Sequence, residues 1–270
     1  MKEIKLVCLD VDGTLVSDDK SVPEANLRAI KEASSRGVHF AVLSGRISPS
    51  IQHYQNILGI KGPVSSLGGC ILEDPDLNII EEYTLDRETC LKILKARKES
   101  GISILFYHHN SWYTDSSTDP RWLKSEFEAT GVRGEIVESL EALLDSFLPN
   151  KFLALDIEIP KVVHFKELLS SYGLTTVKAY FSWPQFMEVV PSQADKGQAV
   201  KSLRSYYGLE KDQVMVCGDY FNDLPMFTEA GISVAMENSP EEVKEKADYI
   251  TLNDNNGCGV AEAIEKFVLR

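Results

Sequence analysis

The chain has no cysteine framework. Its five cysteines, Cys8, Cys70, Cys90, Cys217 and Cys258, are odd in number, widely scattered and without a CxxC pair. That pattern excludes a disulfide scaffold and a zinc knuckle, and most of the thiols read as small, reduced core residues. No uninterrupted apolar run approaches the length of a membrane span. The basic flank, apolar stretch and small-residue cleavage site of a signal peptide are also missing, so a cytoplasmic protein is expected. There is no internal repeat, low-complexity tract or heptad series. Positive charge is scarce: 28 basic side chains face 41 acidic ones, for a net charge of −13. Such a surface disfavours nonspecific binding to nucleic acid or to an anionic membrane. An anionic substrate would need local compensation from a metal and from placed cations.

What is present suits a well-packed globular protein. Hydrophobic residues form 43% of the 270 and charged residues 26%, which is enough core for one large domain or two modest ones. The first ninety or so residues alternate strand and helix signals, as in a parallel sheet covered on both faces. Leu6 to Leu9 reads as a buried strand, and Ser21-Val22-Pro23-Glu24 resembles a capping box opening a helix with Leu27 and Ile30 inward. Val38 to Leu43 is a second strand, Ser48-Pro49 opens a second helix, and a third strand lies near Val64. From about Thr84 the pattern becomes less regular, with strands at Ile102 to Tyr107, Lys151 to Ile157 and Leu174 to Phe181. This is expected to be an inserted α+β domain. After Pro184 the doubly wound pattern is expected to return with Met187 to Val190, a helix from Asp195 to Tyr207, the strand Val214 to Cys217 and Ile232 to Ala235. The fold class is therefore α/β: a doubly wound, Rossmann-like parallel-sheet core over residues 1–83 and 187–270, interrupted by an α+β cap over 84–186.

The chemistry concentrates in two acidic clusters, Asp10-Val11-Asp12-Gly13-Thr14 and Gly218-Asp219-Tyr220-Phe221-Asn222-Asp223, each directly after an apolar strand. Carboxylates at the ends of parallel strands meet at one edge of a sheet, where oxygen ligands suit a hard cation such as Mg²⁺. An Asp-Gly turn alone is commonplace, and helix capping would account for Asp219 and Asp223 alone. Neither explains two matching clusters about 200 residues apart in sequence. Ser44-Gly45-Arg46, after the second strand, offers a hydroxyl, a flexible glycine and a cation to phosphoryl oxygens. Lys196 stands in the first turn of a helix, where a cation is mildly unfavourable unless an anion binds beside it. The simpler alternative for Lys196 is an exposed lysine paired with Asp195.

Those four segments, in that order, resemble the motifs of the haloacid dehalogenase-like phosphohydrolases, specifically the Cof-like branch with a large α/β cap (type IIB). The resemblance spans nearly the whole chain. It implies that Asp10 is the nucleophile, Asp12 the general acid and base, and Ser44, Gly45, Arg46, Lys196 and Asn222 phosphate-binding residues. Asp10, Asp12 (through its backbone carbonyl), Asp219 and Asp223 would hold Mg²⁺. It further implies a small phosphorylated metabolite, such as a sugar phosphate, as substrate. The chain departs from the family's habit in having Ser44 in place of threonine and Gly68-Gly69 where Asn-Gly is frequent. Tyr220-Phe221 is a bulky pair expected to crowd the site entrance. Specificity is assigned to the cap, with Trp112, Tyr113, His108, His109, Phe181 and Trp183 as candidates. A phosphomutase, a receiver-like phospho-acceptor and a noncatalytic binding protein are the competing readings. Cys8 and Cys217, each two residues before a key aspartate, are expected side by side beneath the metal as reduced thiols.

Overall fold

The computed structural model describes residues 2–270. It divides into two compact units, one running to Glu81 and resuming at Asp195, the other spanning Glu82–Ala194.

The first unit is built on an eight-stranded sheet. In spatial order its strands are Tyr249–Ile250, Ile232–Ala235, Val214–Gly218, Leu6–Leu9, His39–Leu43, Val64–Ser66, Ile71–Glu73 and Ile79–Glu82. Leu6–Leu9 is central, fully buried and paired in parallel with both neighbours. Alternation along it feeds two separate apolar layers. Val7 and Leu9 pack with Ala29, Ile30 and Ala33 of the helix Glu24–Ser35 and with Val260 and Ile264 of the helix Gly259–Phe267. Leu6 and Cys8 face Ala199, Val200 and Leu203 of the helix Lys196–Tyr207. A strand buried on both faces needs a continuous apolar run, which is what Leu-Val-Cys-Leu supplies. The chain leaves Leu6–Leu9 toward His39–Leu43 on one side and returns as Val214–Gly218 on the other. That reversal opens a crevice at the carboxyl ends of these strands.

The second unit is a six-stranded sheet in the order Val177–Trp183, Phe186–Pro191, Lys151–Leu155, Ser103–His108, Ser111–Asp115 and Glu135–Val137. All its pairings are antiparallel except the last. The helices Arg87–Ser100 and Ile159–Ser171 bury Ile93, Leu94, Phe165 and Leu169 against Phe106, Phe152 and Met187 of the sheet. Core and insert together give the α/β architecture read from the sequence.

Three local readings change. Met187 to Val190 belongs to the antiparallel sheet of the insert, because Pro184 sits in a tight hairpin that pairs Trp183 with Phe186. Its buried Met187 and Val189 flanking a half-buried Glu188 are the pattern of a strand covered fully on one face only. The capping box at Ser21 does not form: Pro23 occupies the cap position, and the Ser21 hydroxyl donates to Asp19 at 2.6 Å instead. Cys8 and Cys217 are free and buried, but not side by side. In the parallel register Cys217 pairs with Leu9, so the two thiols point to opposite faces of the sheet.

Candidate active site

The site starts where Leu6–Leu9 ends. The Asp10 amide still donates to the Cys217 carbonyl at 3.0 Å, extending the ladder by one residue and fixing the buried Asp10 at the rim. The chain then folds sharply, and the Val11 carbonyl accepts from the amides of Leu15 and Val16 at 3.0 and 3.1 Å. Gly13, at φ +81°, makes the turn; a Cβ there would lie 2.3 Å from Asp219 Oδ2. Only glycine combines this backbone with so close an approach. Thr14, fully buried, donates to Asp219 Oδ1 at 2.9 Å across 205 residues of sequence.

The second cluster is shaped by its own backbone. Asp223 Oδ2 accepts from the amides of Asp219 at 2.9 Å and Tyr220 at 3.0 Å, tying the loop after Val214–Gly218 into a closed turn. Asp223 Oδ1 accepts from Lys196 Nζ at 2.5 Å, and the same ammonium donates to Asp10 Oδ1. Lys196 is completely buried, which overturns the exposed-lysine alternative. Its helix is capped by Asp195, whose side chain accepts from the Gln198 amide at 2.8 Å. Gly69, at φ +99°, allows that cap to seat, because a Cβ there would lie 2.4 Å from the Asp195 carbonyl.

Carboxylate oxygens of Asp10, Asp219 and Asp223 all lie within 4.8 Å of one another. Burial pushes the Asp10 carboxyl well up, against the pull of Lys196. Burial together with Asp223 raises Asp219 to about 7, against the Thr14 hydrogen bond. Burial also works against the Lys196 ammonium, but Asp10 and Asp223 overcome it and hold the lysine charged. With every group ionised, three carboxylates around one ammonium would carry a formal charge of −2, and burial instead pushes Asp10 and Asp219 toward their protonated forms. The donors are all oxygen. Such a set fits a hard divalent cation, whose charge would stabilise the ionised carboxylates.

Asp12 is held by a different pair of cations. Arg46 Nε and a terminal guanidinium nitrogen donate to its two oxygens at 2.7 and 2.8 Å, and Lys20 Nζ to one of them at 2.8 Å. Partial burial pushes the Asp12 carboxyl up, but Arg46 and Lys20 outweigh it and hold it at about 2. Ser44 is buried after His39–Leu43, its amide donating to the Ser65 carbonyl at 2.9 Å and its hydroxyl accepting from the Arg46 amide at 3.2 Å. Gly45 is half-buried in the same turn. The structure thus brings Asp10, Lys196, Asp219 and Asp223 into direct contact and engages Asp12 with Arg46. Asn222 is exposed. Tyr220 and Phe221 are exposed as well, with rings 5.1 Å apart in an edge-to-face pair.

Sequence reasoning assigned no role to Thr14 or Lys20, nor to Asn238, whose side-chain amide donates to the Gly13 carbonyl at 2.9 Å. Thr14 was within reach as a hydroxyl just beyond the acidic turn. The signal for the other two exists only once the chain is folded.

This arrangement of fold and site is that of a phosphohydrolase with a carboxylate centre at the sheet edge. The chain belongs to the haloacid dehalogenase-like hydrolases, whose family profile matches residues 7–264. It is 29% identical over 99% of its length, and 97% of the relative's, to the 5-amino-6-(5-phospho-D-ribitylamino)uracil phosphatase YcsE of Bacillus subtilis. A haloacid dehalogenase-like hydrolase from Bacteroides thetaiotaomicron superposes with a TM-score of 0.88 at 29% identity, covering 98% of this chain and 99% of that one. A sugar phosphatase of haloacid dehalogenase subclass IIB shares the fold, with a TM-score of 0.83 at 21% identity over 97% and 98% of the two chains. The protein is accordingly a phosphatase of this family. Among the described residues no helix is long and apolar enough to cross a membrane.

Proposed function

We propose that this phosphatase is Mg²⁺-dependent and hydrolyses small phosphorylated metabolites, sugar phosphates foremost, through a phosphoryl group carried on Asp10. The observation that carries this reading is the buried contact of Asp10 with Lys196 beside Asp219 and Asp223. It joins a carboxylate able to attack phosphorus to a fixed cation and an acidic cluster. Asp10, Asp219 and Asp223, with the Asp12 backbone carbonyl, would hold Mg²⁺, which when bound offsets the repulsion between an anionic nucleophile and an anionic substrate.

The chain's own residues then divide the work. Lys196, unable to leave its buried position, keeps one Asp10 oxygen occupied and orients the other toward phosphorus. Ser44, Gly45 and Arg46 bind phosphoryl oxygens. A phosphate drawn to Arg46 competes for the guanidinium that now grips Asp12, and release from that grip raises the Asp12 carboxyl into the range of a proton donor. In the first step Asp10 forms a bond to phosphorus as the ester P–O bond breaks, and Asp12 gives its proton to the departing alkoxide. In the second, Asp12 takes a proton from water as that water attacks the same phosphorus, releasing inorganic phosphate and Asp10.

The test is phosphate release across phosphosugars, nucleotides and phosphorylated cofactors, with and without Mg²⁺ and EDTA, alongside Asp10→Asn. Mg²⁺-dependent turnover of at least one phosphosugar, abolished in an Asp10→Asn variant that circular dichroism shows to be folded, is expected. Substantial activity in Asp10→Asn would remove it as the nucleophile, and activity indifferent to EDTA would remove the metal.

A further inference from the structure

A second cluster of ligating side chains lies within the inserted unit. Glu82, His108 and His109 each present a carboxylate oxygen or ring nitrogen, and these atoms lie within 4.8 Å of one another. We propose that Glu82, His108 and His109 form a site for a borderline divalent transition ion, Zn²⁺ foremost. Two imidazoles with one carboxylate form a donor set that Zn²⁺ accepts with a fourth position left to water, whereas Mg²⁺ disfavours nitrogen ligands.

The surroundings hold these ligands as second-layer groups do in metal centres. His108 Nδ1 lies 3.0 Å from the Leu148 carbonyl, a partner that only accepts, so this nitrogen carries the proton and Nε2 keeps its lone pair. Phe147 stacks on the same ring with centroids 4.4 Å apart and fixes its plane; His109 stacks on it at 4.2 Å with the planes 21° apart, so joint ligation of one ion requires the His109 ring to turn out of that stack. Asn150, completely buried, serves both other ligands: its amide donates to Glu82 Oε1 at 2.9 Å and its carbonyl accepts from the His109 amide at 2.9 Å. His109 itself adopts φ +50°, an uncommon conformation for a residue with a side chain. The turn joining Ser103–His108 to Ser111–Asp115 thus accepts backbone strain while placing His109 Nε2 2.8 Å from Glu82 Oε1. That short contact shares one proton, and a cation would replace it.

Full-length protein in excess Mg²⁺ is titrated with Zn²⁺ by calorimetry and with Co²⁺ by visible absorption, for wild type, Asp219→Asn, His108→Gln, His109→Asn and Asn150→Ala. Asparagine tolerates the positive φ at position 109, so that variant keeps the turn. The expected result is one equivalent of Zn²⁺, with a Co²⁺ ligand-field band, retained in Asp219→Asn and weakened about 100-fold or more in the two histidine variants. Asn150→Ala is expected to weaken it by about 10- to 100-fold. A site unaffected by the histidine variants, or binding that disappears in Asp219→Asn, overturns the proposal. Circular dichroism and melting in EDTA establish that each variant folds, so lost binding in a folded histidine variant counts for the site.

Discussion

Lys196 is a cation with no solvent to fall back on, touching two carboxylates that are equally enclosed. Removing one partner of such a group strands the others, at a cost of about 3–5 kcal/mol. Lys196→Met is therefore expected to lower metal-free stability by that order in chemical denaturation, to recover part of it on adding Mg²⁺, and to lose turnover. Asp219 gives a pH signature. Its folded carboxyl sits at about 7, above the ordinary unfolded value, so the folded state holds more protons than the unfolded between about pH 4 and 7. Stability of the metal-free protein attributable to Asp219 then falls as pH rises through that window and levels off above it. The melting temperature in EDTA, compared with that of Asp219→Asn, should show the difference growing toward pH 7, and Mg²⁺ should raise it more at pH 8 than at pH 5. The aspartates' place after strands, Lys196's place in a first helical turn and the resemblance to one family's motifs made Asp10, Lys196, Asp219 and Asp223 legible as a group. The grip of Arg46 on Asp12 was not, because a cation suited to phosphate is equally suited to a neighbouring carboxylate. Only the fold decides which it meets.

At the scale of elements, the placement of Lys196 depends on how two turns seat against each other. Asp195 caps the helix that carries Lys196, and Gly69 makes room for that cap. Asp195→Ala is expected to cost about 0.5–2 kcal/mol, the usual loss for an N-cap, seen as a lower denaturation midpoint. Gly69→Ala adds a Cβ against main chain at 2.4 Å in a backbone that alanine resists, so the helix start must shift. Its turnover should fall more than its stability does, which paired kinetics and melts would show. The parallel strands of the core were readable because each is a short apolar run ending in punctuation. The placement of Phe186–Pro191 was not: an apolar segment reads alike whether it joins a parallel core or an antiparallel insert, and Pro184 served as well for a hairpin as for a boundary. The register that separates Cys8 from Cys217 was hidden too, since the second strand runs one residue further before its aspartate than the first.

For the molecule as a whole, four thiols are buried and Cys258 alone is partly accessible. Native protein should react with a disulfide-exchange reagent at about one of its five cysteines, rising to all five in denaturant; rapid native labelling of Cys8 or Cys217 would contradict the packing. The insert carries its own acid-sensitive tie, in which Arg97 donates to both oxygens of Asp115 and holds that carboxyl at about 2. The stability this pair contributes is complete above about pH 4 and is lost as pH falls toward 2, an effect that Asp115→Asn should abolish in acid titrations followed by circular dichroism. Length, composition and the split order of motifs made a core with an inserted unit legible, while the sheet orders were settled by pairing between distant segments. The middle position of Leu6–Leu9 also bears on synthesis. One of its two flanking strands, Val214–Gly218, leaves the ribosome some 200 residues later, a lag on the order of ten seconds or more at roughly 5–20 residues per second. Throughout that interval the nascent chain displays an unpaired apolar edge beside Asp10, making this the stretch where a chaperone has most to shield.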